Sequence, residues 1–130
     1  MQKTSHWLLY LLLVITGAVL LLLYTICFAS NQRISGTEYY YSGMLNDGFN
    51  IYTGILLFLI GTVTGYFSKA NSWGTGISLI LSLPVVALIE ASVYRGSHNL
   101  IPFELLLYFA YALPGVFGSF VGKRLRSRTI

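Results

Sequence analysis

The chain has 130 residues, of which 55% are hydrophobic and only 9% charged, with a formal net charge of +4. At a mean hydropathy of +0.71, a chain this short cannot hide its apolar surface in a water-soluble fold, so lipid must act as the solvent for most side chains. The basic residues stand at the ends of apolar runs rather than on a face interleaved with stacking aromatics, which argues against nucleic acid and for membrane orientation.

The first apolar run, Trp7 to Ala29, holds no charged residue and exceeds the roughly 20 residues a helix needs to cross the hydrocarbon layer. Lys3 before it and Cys27-Phe28-Ala29 at its end also fit a secretory signal. The run is longer than an h-region of about 7 to 15 residues, so it is read as a retained span. Cys27, the single cysteine, has no internal disulfide partner and reads as a small apolar side chain.

A polar connection follows from Ser30 to Asn50, with Arg33, Glu38, Asp47, several glycines and the run Tyr39-Tyr40-Tyr41. Those rings are expected to lie in the head-group layer or to grip a partner. The second predicted span is Ile51 to Ser68, closed by the polar turn Lys69-Ala70-Asn71-Ser72. The third runs from Trp73 to Tyr94, and the link Arg95-Gly96-Ser97-His98-Asn99 leads to a fourth from Ile101 to Gly122. Lys123, Arg124, Arg126 and Arg128 close the chain. The expected fold is therefore all-α: one polytopic domain of four transmembrane helices in two antiparallel hairpins, spans 7–29, 51–68, 73–94 and 101–122.

Assigning alternate connections to opposite sides of the membrane places six cations (Lys3, Lys69, Lys123, Arg124, Arg126, Arg128) against two (Arg33, Arg95). The positive-inside rule then predicts cytoplasmic N- and C-termini, in a plasma membrane of the bacterial inner-membrane type. All four acids, Glu38, Asp47, Glu90 and Glu104, fall toward the outer side. Trp7 and Trp73 fit the inner aromatic belt, and Tyr52, Tyr94 and Phe103 the outer one.

Small residues recur four apart: Gly61 and Gly65, Ser78 and Ser82, Ala87 and Ala91, Gly118 and Gly122. Such stripes allow close backbone approach, either within one bundle or between subunits of a homo-oligomer. Pro84 and Pro114 lie near the middle of the third and fourth spans, with Gly17 and Gly61 at similar depth. Each proline removes a backbone donor, so both are expected to break their helices at the midplane, as in transporters that build a site from interrupted helices. Ordinary spanning helices also tolerate proline.

The candidate chemistry gathers at the outer end of the second hairpin, in Glu90, Arg95, His98, Asn99 and Glu104. Glu90 sits about one turn inside the span, where a carboxylate must be paired or wetted, and Arg95 or His98 is the expected partner. Glu104, after Pro102, is expected in the first turn of the last helix, where the dipole favours an anion. A structural ion-pair network competes with proton-coupled transport, with capture of a phosphate or carboxylate head group, and with acid and base catalysis on an outer-leaflet lipid. A single histidine gives no metal-ligand spacing, so neither metal nor cofactor is expected. Nucleotide-cradling, zinc-protease, thiol-redox and nucleophile-elbow motifs are absent from the sequence.

In size and span number the chain is similar to small four-helix drug exporters. Those depend on an acidic residue in the first helix, and Trp7–Ala29 has none. The functional expectation is an oligomeric transporter or channel-like component for a small solute, ion or lipid head group. The alternative is an accessory, regulatory or immunity-type subunit that acts by contact with a partner membrane protein.

Overall fold

The structure is a computed structural model that describes residues 3–28, 39–95 and 98–129, with the backbone alone at 3–5. Arg33, Glu38, Gly96 and Ser97 lie outside the described residues. Six helices follow in order: α1 (Lys3–Phe28), α2 (Tyr40–Asp47), α3 (Ile51–Phe67), α4 (Ser72–Ile80), α5 (Ser82–Val93) and α6 (Ile101–Thr129).

Helix α1 is apolar on all sides, and what turns it toward the bundle is a stripe of four-residue spacing. Leu13, Gly17, Leu21 and Thr25 are buried, while Trp7, Leu8, Leu11, Leu12, Ile15 and Val19 face outward. Gly17 is required there: a Cβ at this position would stand 1.7 Å from the Leu79 carbonyl oxygen of α4. A smaller separation of helix axes is possible only where no side chain intervenes.

The start of α3 is written in its sequence. Asn50 accepts from the Tyr52 and Thr53 N–H groups, and the Thr53 hydroxyl accepts from the Asn50 N–H at 2.8 Å, a reciprocal capping box. Thr53, Leu57, Gly61 and Gly65 then form its buried stripe. They meet α6, whose buried face is Tyr108, Ala112, Gly115, Val116, Gly118, Ser119 and Gly122. A Cβ on Gly61 or Gly65 would lie 2.3 or 2.2 Å from the carbonyl oxygens of Gly115 and Ser119, and one on Gly118 or Gly122 2.0 Å from those of Phe58 and Thr62. Both glycine stripes are thus consumed inside the chain, where α3 and α6 run backbone to backbone, and neither is left for a second subunit.

Pro84 and Pro114 have different consequences. Pro84 cannot donate to the Ile80 carbonyl, and the helix breaks just there: Leu81 N–H reaches Ser78 O at 3.3 Å, and α4 and α5 meet at 46°. Pro114 lies within α6, which continues unbroken. The expected pair of midplane breaks is therefore corrected to one. Packing of α3 and α4 on the buried residues around Pro114 holds the rest of that ladder together.

The polar connection is also corrected, because it contains α2. This helix turns 77° from α3 and packs on α5 and α1, lying across one end of the bundle. Gly48 presses on the Leu21 carbonyl, and the Thr25 hydroxyl donates to the Met44 carbonyl at 2.6 Å. Helices α1 and α6 are each long and apolar enough to cross a membrane, and the count rises to four if α2 with α3 and α4 with α5 each form one bent span. The wide outward display of Leu, Ile, Val and Phe is a surface suited to lipid.

Candidate functional site

Helix α2 begins without a local cap. Tyr39, at its N-cap, adopts a left-handed backbone (φ 62°) and its side chain caps nothing. The first-turn N–H groups nevertheless find an acceptor from a distant helix. Glu90 on α5 receives the Tyr41 N–H at 2.7 Å and the Ser42 N–H at 3.2 Å on Oε1, while the Ser42 hydroxyl donates to Oε2. A carboxylate at the positive end of a helix, taking up its orphan donors, is a cap supplied in tertiary space.

The second half of the site is His98, which is 3% exposed. Its Nε2 lies 3.2 Å from Glu90 Oε2 and its Nδ1 2.6 Å from Glu104 Oε2. Each contact needs a shared proton, and neutral imidazole brings only one. Glu104 reaches this position because it stands in the first turn of α6, as expected, with its N–H on the Leu100 carbonyl at 3.0 Å.

Tyr39 completes the cluster. Its hydroxyl accepts the His98 N–H at 2.7 Å, and the two rings pack with centroids 4.4 Å apart. His98 also has a left-handed backbone, φ 54°. Two adjacent non-glycine residues in this region cost about 1 to 2 kcal/mol each, so the hydrogen bonds between them do more than decorate the turn. Tyr39 thus engages His98 while remaining 39% exposed, and Tyr41, 65% exposed, projects outward with its ring edge-on to Tyr40.

Two cavities flank the Glu90–His98 pair. A recess of ≈ 190 Å³ is lined by Tyr39, Ser42, Gly43, Asn46, His98, Glu104, Leu107 and Tyr108. A more apolar crevice of ≈ 330 Å³ between α1, α2 and α5 has Glu90 and Ser82 in its wall. The Asn46 Oδ1 atom and the Ser82 Oγ atom are buried and without a hydrogen-bond partner among the described residues.

Among the expected site residues, Glu90, His98 and Glu104 come together. Arg95 and Asn99 do not: both are exposed and make no side-chain ion pair or hydrogen bond among the described residues. Of the two expected partners of Glu90, His98 is found beside it and Arg95 is not; Ser42 and the α2 backbone join His98, although the sequence separates them from Glu90 by 48 and 49 positions. The only local hint was a short apolar Met44-Leu45 stretch closed by Asp47-Gly48, a helix-stop signal too brief to mark α2 by itself. No group of three or more His, Cys, Asp or Glu side chains is arranged to hold a metal ion among the described residues. No protein-family model, curated protein or solved structure matches the chain.

Proposed function

We propose that the chain is a four-span protein of a bacterial-type plasma membrane, with both ends cytoplasmic, that acts by contact with a partner membrane protein through the α2 cap. The six-to-two division of cations supports the orientation. The observation that carries the contact reading is that Glu90, buried within its span, is engaged on every side by its own chain: two N–H groups and a hydroxyl donate to it, and the His98 imidazole lies against it. An acid that served as a carrier would need free access to its cargo, whereas an acid saturated in this way fixes a surface element. That element presents Tyr41, with the exposed Tyr52 and Phe103 at the same end of the bundle. Aromatic side chains supply large contact area at low entropic cost.

The test is a photo-reactive side chain placed at position 41 in native membranes. Formation of a discrete protein adduct, lost when Glu90 is changed to Ala, is the expected result. Adducts with lipid alone would defeat the contact reading.

A second reading is favoured by the two cavities. Glu90 and His98 stand between a recess and a crevice, each holding one unpartnered buried oxygen, as a proton-coupled transporter requires of a polar element on its pathway. In reconstituted vesicles this version expects pH-dependent solute flux that Glu90→Gln abolishes; unchanged flux would remove it.

A further inference from the structure

At the end of the bundle opposite Glu90, the end of α3 and the last turns of α6 border an open cleft of ≈ 530 Å³ lined by Gly65, Ser68, Lys69, Lys123, Arg126 and Ser127. Three cations meet here for a geometric reason. The glycine seam holds α3 and α6 in backbone contact up to Gly65 and Gly122, so whatever follows those residues is forced together. Helix α6 runs seven residues beyond Gly122 to Thr129, and positions 123, 126 and 127 share one face of it, while Arg124 and Arg128 lie on the other.

Nothing in the described protein neutralises this group. Lys69, Lys123 and Arg126 make no ion pair among the described residues. The described acids lie at the far end: Glu104 is 19 positions before Lys123 on the same helix, about 28 Å away at 1.5 Å per residue. The carbonyl end of α3 contributes only about half a negative charge. Three like charges gathered in one concavity without a counter-charge define a site for an oxyanion, to be met by the Arg126 fork, two ammonium groups and the Ser68 and Ser127 hydroxyls.

We propose that this cleft binds the phosphate of an anionic phospholipid. The lipid source, rather than free phosphate, follows from the surroundings, and rests on the chain spanning a bilayer as set out above. Phe67, 77% exposed, immediately precedes Ser68, and the exposed Leu125 stands between the α6 cations. Those side chains mark the edge of the hydrocarbon, and the cations stand within a turn of them, at the depth of lipid phosphates. A zwitterionic head group would bring its own ammonium toward three cations, so a head group of net negative charge is selected.

The experiment uses the full-length protein in neutral detergent, titrated with phosphatidylglycerol or phosphatidylcholine, with bound lipid counted by native mass spectrometry. Inorganic phosphate and glycerol phosphate serve as soluble competitors. Phosphatidylglycerol is expected to bind at least tenfold more tightly than phosphatidylcholine. With about fivefold per cation, Lys123→Gln with Arg126→Gln should weaken it about 25-fold. Arg124→Gln with Arg128→Gln removes the same charge from the other face and should cost less than threefold. Lys123→Arg with Arg126→Lys keeps the charge and should keep binding, which separates the site from any folding defect.

Equal losses in the two Gln pairs would reduce the cleft to diffuse attraction and overturn the proposal. Displacement of the lipid by inorganic phosphate at matching affinity would overturn the lipid assignment. Failure of the bilayer reading itself is distinguishable, because the wild-type chain would then partition into the soluble fraction without detergent.

Discussion

Replacing Glu90 by alanine should damage the fold far more than replacing it by glutamine. Alanine withdraws the acceptor for the Tyr41 and Ser42 N–H groups, the Ser42 hydroxyl and His98 at once. Loss of a helix cap alone costs about 1 kcal/mol, and leaving the partner of a buried charged pair unmatched costs about 3 to 5 kcal/mol. Because His98 and Ser42 are both nearly inaccessible to water, the upper figure is a ceiling and the two losses overlap; about 3 to 4 kcal/mol is expected. Glutamine keeps a carbonyl oxygen for the two backbone donors, and its amide can donate to Ser42 Oγ and to an unprotonated His98 Nε2, so about 1 to 2 kcal/mol is expected there. The assay is reversible unfolding in mixed micelles, joined to hydrogen exchange at positions 41 and 42. A loss of 3 kcal/mol corresponds to about 150-fold faster exchange at those amides for Glu90→Ala. Equal effects of the two substitutions, or undiminished protection at 41 and 42, would refute the tertiary cap.

Other substitutions probe separate elements. Gly65→Ala places a methyl group 2.2 Å from the Ser119 carbonyl oxygen, so α3 and α6 must part, and a loss of about 1 to 3 kcal/mol is expected in the same unfolding assay. Gly54→Ala is the control on the same helix: no atom lies within 4 Å of the added carbon, and a gain of up to about 1 kcal/mol is expected from helix propensity. Ser42→Ala removes one hydrogen bond to the Glu90 carboxylate and should cost about 1.5 to 3 kcal/mol, with hydrogen exchange rising in α2 but not in α3. For sidedness, Cys27 is first changed to Ser; Asn99→Cys should then be labelled by an impermeant maleimide in intact cells, and Ser127→Cys only after permeabilisation. Labelling of position 127 from outside would reverse the proposed orientation.

Much of the helical plan was legible because its causes are local. The start of α3 follows from Asn50 and Thr53 three residues apart, and the start of α4 from Asn71, whose side chain accepts the Trp73 N–H at 3.1 Å. The apolar run that ends before Lys69 marks the end of α3, because transfer free energy is summed residue by residue along the run, whereas α6 continues seven residues past Gly122 through its cationic segment. The four-residue spacing of glycines identified close-packing faces in the same way.

Helix α2 escaped this logic since its capping acceptor stands on another helix, and a Tyr-rich segment without a local cap has no sign of a helix start. Of the two expected partners of Glu90, His98 meets it and Arg95 does not, because proximity along the chain does not tell which way a side chain points once α5 ends at Val93 and the chain turns. Identical residues also acted differently, with Pro84 breaking its helix and Pro114 not, because packing on both flanks decides whether a missing hydrogen bond becomes a bend. Composition and charge order by themselves determined that the chain is helical, apolar and polarised along its length, since those are sums over residues. Only the tertiary structure decided that Glu90 caps α2 at Tyr41 and Ser42 while meeting His98, and that three cations share one cleft. Both depend on where helices cross, which is set by backbone contact at glycines rather than by any residue's own preference.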